Sequence, residues 1–164
     1  MHAQTLGASL GRAKSRLKLA FFAYPTFAWY GRSMKLLLDT HIWIWNELEP
    51  WRITSAVHQE LASPHNELFL SPVSLWELVL LVEKKRINIA ADFTEWVNGS
   101  FEDLQMQEAP FSFAVAHELR FTQLPHRDPG DRFIVATARI YDMTLVTADQ
   151  NLIGLTNLAI LANL

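Results

Sequence analysis

A short apolar run, Leu36-Leu37-Leu38, ends directly on Asp39, Thr40 and His41. An uninterrupted run of this kind predicts a strand buried on both faces, as parallel sheets require. Thr40 is placed to cap a following helix, in which Ile42, Trp43, Ile44 and Trp45 supply apolar surface. Further on, residues 54–61 predict a short helix, 63–66 a turn and 67–70 a second strand. Ser71-Pro72 reads as a helix start, with serine as cap and proline at the first position. That helix is expected over 73–85, where Lys84-Lys85-Arg86 suits the negative end of the macrodipole. A helix over 92–97 should stop near Asn98-Gly99, and another is expected over 111–119. Residues 124–130 read as a loop, 131–141 as a helix, 144–147 as a strand and 159–161 as a last short strand. Strands alternating with helices predict βα units and a parallel sheet.

At 164 residues, half of them hydrophobic and 19% charged, the chain is long enough for one domain with a real core and is too apolar to be disordered. It has no cysteine, which excludes disulfides, zinc–thiolate sites and thiol nucleophiles. A reducing, cytoplasmic setting is the simpler expectation.

Charge divides the chain. Residues 1–33 carry five basic residues (Arg12, Lys14, Arg16, Lys18 and Arg32) and no acidic one. The remainder holds 9 Lys+Arg against 17 Asp+Glu, a net of −8. So acidic a domain lacks the basic face of a non-specific nucleic-acid binder, so metal ions or a basic partner would have to offset its carboxylates. The apolar stretch from Leu19 to Tyr30 follows basic residues as a signal peptide would, but it has no small-residue cleavage motif and Pro25 interrupts it. It also falls short of the roughly 20 apolar residues a membrane span needs. The break in composition at Met34 makes Met34 the expected true start, and residues 1–33 a translated upstream extension.

Four carboxylates stand out. Asp39 ends the first strand, where open α/β sheets place ligands, although a turn or capping aspartate is common there. Glu77 is the only ionisable residue between Val73 and Val82. A helix so apolar should be largely buried, and a buried glutamate must be paired, protonated or metal-bound. The competing reading puts Glu77 on a narrow solvent stripe with Ser74 and Leu81. Asp131 opens a helix, and capping alone would explain either it or Asp128. Asp149 repeats the geometry of Asp39 after the strand 144–147, although a turn role is open to it as well. Carboxylates gathered at one sheet edge raise one another's pKa unless a divalent cation neutralises them. With oxygen ligands alone, the expected ion is Mg2+ or Mn2+.

The ordered set is an apolar strand with Asp-Thr-His, then Ser-Leu-Trp-Glu-Leu, then His-Arg-Asp-Pro-Gly-Asp-Arg-Phe-Ile-Val-Ala-Thr-Ala, then Leu-Val-Thr-Ala-Asp. From Met34 onward it closely resembles the PIN domain, and within it the VapC-type ribonuclease toxins of type II toxin–antitoxin systems. The resemblance implies a three-layer α/β/α fold with a central, mainly parallel sheet, and an Mg2+- or Mn2+-dependent endoribonuclease. It assigns Asp39, Glu77, Asp131 and Asp149 to the acidic quartet. Asp131 is preferred to Asp128 because it immediately precedes Arg-Phe-Ile-Val-Ala-Thr-Ala. The implied reaction is hydrolysis of RNA by metal-activated water, leaving a 5′-phosphate and a 3′-hydroxyl. The implied partners are a cognate antitoxin and a second copy of the chain. One departure is Gly130, where relatives often carry a bulky apolar residue; it implies a looser hold on Asp131.

His41 and His126 lie close to the quartet in sequence but have structural readings first. Thr147 is a candidate to hydrogen-bond a ligand carboxylate. Arg127 and Arg132 would either offset substrate charge or form helix-surface salt bridges. The tryptophans Trp43, Trp45, Trp51, Trp76 and Trp96 read as core or partner-interface residues. A haloacid-dehalogenase-like phosphatase would need a second aspartate two residues after Asp39, where His41 stands. A dinucleotide-binding fold would need a glycine-rich turn after the first strand. A non-catalytic PIN-like module would have no need of all four acids.

Overall fold

The apolar run forms β1 (Lys35–Leu38), and it lies at the centre of a five-stranded sheet. The structure is a computed structural model describing residues 33–124 and 128–164. The extension expected at 1–33 therefore lies outside the described residues except for Ser33, as do His126 and Arg127. β1 pairs on one side with β2 (Glu67–Leu70), which pairs with β3 (Gln107–Glu108). On its other side lie β4 (Thr144–Thr147) and then β5 (Ile160–Ala162). Every pairing is parallel, so the sheet is wholly rather than mainly parallel.

The period-2 alternation of the strands builds three layers. Leu36, Leu38, Leu68, Leu70 and Val146 point to one face. There they meet Ile42 and Trp43 of α1 (Thr40–Leu48), Val57 and Leu61 of α2 (Ser55–Ala62), and Leu78 of α3 (Pro72–Glu83). Trp96 of α4 (Phe93–Leu104) packs against the same cluster. Leu37, Phe69 and Leu145 point to the other face, against Ile134, Val135 and Ala138 of α6 (Pro129–Ile140) and Leu152 of α7 (Gln150–Ile153). The fifth helix, α5 (Phe113–Glu118), packs on α6. Among the described residues no helix is long and apolar enough to cross a membrane.

The tryptophans divide by environment. Trp43 is fully buried, and its indole N–H donates to Ser100 Oγ at 2.7 Å, which satisfies the one polar atom this side chain carries into the core. Trp96 packs against it in a tilted arrangement, with 5.5 Å between ring centroids. Trp45 lies under the Arg52 guanidinium, while Trp51 and Trp76 are exposed.

Several boundaries differ from the sequence expectation for identifiable reasons. Thr40 does not cap α1: it is the first helical residue, and Asp39 occupies the cap position without a side-chain cap bond. The fourth helix does not stop at Asn98-Gly99. Asp92 is its cap, accepting from the N–H groups of Thr94 and Glu95, and the helix continues to Leu104 and ends at Gln105 in the left-handed region. The sixth helix begins two residues before Asp131, with Asp128 as its cap and Pro129 at its first position. Nor is Gly130 in a loosened loop: it is buried in the first turn, and its N–H donates to Asp128 Oδ1 at 2.9 Å.

Gly99, now inside a helix, carries a consequence for stability. A Cβ added there meets nothing within 4 Å, so Gly99→Ala should stabilise the protein by about 0.5–1 kcal/mol through helix entropy alone. Urea denaturation measures this, and a loss of stability would show that the glycine is needed in its helix.

Candidate active site

Two of the four carboxylates sit at the ends of adjacent strands. The chain winds from β1 through β2 to β3 on one side, then returns to β4 and β5 on the other, so the winding reverses between β1 and β4. The crevice at the carboxyl ends of such strands is where open α/β sheets hold ligands. Asp39 directly follows β1, and its backbone N–H donates to Val146 O of β4 at 3.0 Å. Asp149 follows β4 and caps α7, accepting from the backbone and side-chain nitrogens of Asn151 at 2.8 and 2.9 Å.

Thr147 ties these two together. Its hydroxyl donates to Asp39 Oδ2 at 2.5 Å and accepts the Asp149 backbone N–H at 3.0 Å. The supporting role expected of this threonine is thus what the geometry provides. Asp39 itself is 4% exposed. Its carboxyl is held above the usual aspartate range, first by burial and then by the charge on Asp149, against the pull of the Thr147 hydrogen bond and of His41.

Glu77 and Asp131 come from helices. Glu77 is half-buried in the middle of α3, and its Oε2 accepts the Thr40 hydroxyl at 2.5 Å. Sequence reasoning missed this second threonine clamp, since the partners lie 37 residues apart. The solvent-stripe reading of α3 is overturned, because Ser74 is fully buried. The helix is also less enclosed than its composition predicts: only Ser74 and Leu78 are buried, and Trp76 beside the glutamate is 49% exposed. Burial raises the Glu77 carboxyl, and the charges on Asp128 and Asp39 raise it further.

Asp131 stands in the first turn of α6, half-buried. Its carboxyl is pushed up to about 7, first by burial and then by the charges on Asp39, Asp128, Glu77 and Asp149. One side chain therefore feels all the other members of the quartet, and Asp128 as a fifth carboxylate. Of the two aspartates that capping could explain, Asp128 is the cap, and it also faces the cluster.

The remaining candidates separate. His41 is exposed, and its charge favours the ionised forms of Asp39 and Glu77. The Arg132 guanidinium donates to the carbonyls of Thr122 and Leu119 at 3.1 and 2.6 Å, tying the end of α5 to α6.

The groups facing the crevice are carboxylates supported by hydroxyls. That donor set suits a hard divalent cation such as Mg2+ or Mn2+ and offers nothing to a thiophilic one. Among the described residues no three acidic or histidine side chains close on one point at ligating distance.

Comparison with known proteins points the same way. Residues 36–157 match the PIN-domain family. Ribonuclease VapC22 of Mycobacterium tuberculosis is 32% identical over 117 residues, which cover 71% of this chain and 88% of that protein. The fold matches VapBC2 from Rickettsia felis, solved bound to a DNA fragment from their promoter, with a TM-score of 0.58 over 79% of this chain and 98% of that one, at 18% identity. It also matches VapBC-5 from Mycobacterium tuberculosis, of the VapBC family of toxin–antitoxin systems, with a TM-score of 0.51 over 78% of this chain and 98% of that one, at 17% identity. At these identities the structural matches establish the fold.

The raised carboxyls set the pH dependence of the metal-free protein. Unfolded, Asp131 releases its proton near 3.8; folded, it keeps it to about 7. Across that window the folded state binds more protons, so its stability falls as the pH rises, and the penalty is fully present above the folded value. Asp39 and Glu77 are shifted the same way. Thermal melts in EDTA should therefore show stabilisation on acidification through this window, with a shallower slope in Asp131→Asn. An unchanged slope in that variant would contradict the electrostatic account.

Proposed function

Because the chain belongs to the PIN-domain family and, within it, to the VapC ribonucleases, we propose that it is a metal-dependent endoribonuclease acting as the toxin of a type II toxin–antitoxin system. Asp39, Glu77, Asp131 and Asp149 hold the cation, Mg2+ or Mn2+. The observation that carries the assignment is Asp131, whose carboxyl feels the three other acids of the quartet. Like charges gathered at a switch-point crevice are unfavourable alone and become favourable around a divalent ion.

When bound, the cation supplies positive charge at the scissile phosphate and acidifies a water for in-line attack. The chain's own residues do the positioning. Thr147 holds the Asp39 carboxylate in one orientation and ties it to the start of α7. Thr40 does the same for Glu77. No protein nucleophile is required. With water as the attacking group and the 3′ oxygen as the leaving group, the bond from phosphorus to that oxygen breaks, and the products end in a 5′-phosphate and a 3′-hydroxyl.

The acidic surface repels RNA until cations occupy the crevice, so substrate binding and metal binding are coupled. The partners of this reading are the RNA substrate, a cognate antitoxin and a second copy of the chain. The VapBC assemblies that share the fold support the antitoxin.

Incubation of the protein with total cellular RNA tests the proposal, since that pool contains narrow as well as broad substrates. Cleavage should require Mg2+ or Mn2+ and stop in EDTA. Asp39→Asn and Asp131→Asn should each slow it by more than about 100-fold, above the range for groups that merely support a ligand. Cleavage indifferent to EDTA would overturn the metal mechanism. A folded protein that binds no Mn2+ and cuts no RNA would be a non-catalytic PIN-like module.

A further inference from the structure

We propose that Gly130 is a positioning residue for Glu77: the missing side chain at 130 is what admits the Glu77 carboxylate to the carboxylate cluster. The role assigned to Glu77 rests on the ribonuclease reading; the steric argument does not.

Glu77 reaches the site from the middle of α3, whereas Asp131 stands in the first turn of α6. The two helices pack on each other, and the glutamate ends against the Cα of Gly130. A Cβ built on Gly130 would overlap Glu77 Oε1 and lie 2.8 Å from its Cδ. Both atoms are too close, so turning the carboxylate about its own axis gives no relief. The whole group would have to move. On its other side Oε2 is held by the Thr40 hydroxyl at 2.5 Å. Thr40 is itself fixed by its place directly after Asp39, at the start of α1. The carboxylate is therefore confined between a hydroxyl of α1 and a bare Cα of α6.

The backbone does not require glycine there. Gly130 is helical, and no positive φ accompanies it. Its N–H bond to Asp128 Oδ1 would survive substitution, with the cap oxygen 3.3 Å from a new Cβ. Alanine is also the better helix former. The atoms that clash belong to the end of a flexible side chain, so folding can accommodate a methyl by expelling Glu77. The cost falls on the site and not on the fold, which sets this glycine apart from one kept for a turn.

The test uses the full chain and four proteins: wild type, Gly130→Ala, Glu77→Ala and the double variant. Gly130→Ala should bind Mn2+ about 10–100-fold more weakly by isothermal titration, the loss usual for groups that orient a ligand. Its urea stability in EDTA should equal or exceed that of wild type. In the Glu77→Ala background the same substitution should cost no further affinity, because there is no glutamate left to displace. Equal Mn2+ affinity in Gly130→Ala and wild type would overturn the proposal, and so would an undiminished loss in the Glu77→Ala background. Metal-free crystal structures decide the positioning even if the wild type binds no Mn2+ and the ribonuclease reading fails. Glu77 displaced from Thr40 in Gly130→Ala supports the inference; Glu77 still bonded to Thr40 refutes it.

Discussion

The repulsion among carboxylates gathered at one edge of a parallel sheet is the constraint to which the rest of this structure answers. Asp39 is almost fully buried, and Asp131 sits among four other acids. Desolvation and like charge both favour the neutral forms, while a hydrogen bond to a charged group returns only about 1.5–3 kcal/mol. The balance is visible in Asp39 and Glu77. Each accepts a short threonine hydrogen bond, and each carboxyl is still held above its ordinary range. Such an arrangement is poor for stability and makes sense as a site for something positive.

The fold spends its most rigid elements on that arrangement. β1 is the central strand, with its apolar side chains buried on both faces, so the backbone position of Asp39 is set by the sheet core. Parallel pairing in register with β4 brings Asp149 to the same edge. Thr147 then links the two strand ends through one hydroxyl. The helical pair is arranged differently: Glu77 is long and must be confined, by Thr40 on one side and the bare Cα of Gly130 on the other.

What the sequence makes legible follows the range of the interaction. Strands β1, β2 and β4 were readable because each is an apolar run of core residues ended by a polar one. Helix starts at Thr54, Ser71 and Asp92 were readable because capping is local. The start of α6 was misplaced although Asp128-Pro129 carries the same signal as Ser71-Pro72; the neighbouring Asp131 competed for the role. β3 escaped notice because its two exposed residues, Gln107 and Glu108, have no apolar pattern and exist as a strand only through pairing with β2. The same limit applies to the site. The four acids could be picked out from strand ends, helix composition and motif order. Thr40's bond to Glu77 and the space left by Gly130 depend on helices meeting across the fold, and no local spacing encodes that. The sequence marked Gly130 as a departure from the family's pattern, but the consequence drawn from it, a looser loop, was the wrong one.

The central claim is that this repulsion is answered by a divalent cation. The direct measurement is the thermal stability of the wild-type protein across pH 5 to 8, with and without saturating Mn2+, beside Asp39→Asn. The account predicts that Mn2+ stabilises the protein most at the alkaline end, where the carboxylates are ionised, and so removes the metal-free preference for acid. In Asp39→Asn that stabilisation should be largely lost. Mn2+ that left the wild-type stability unchanged at every pH would contradict it.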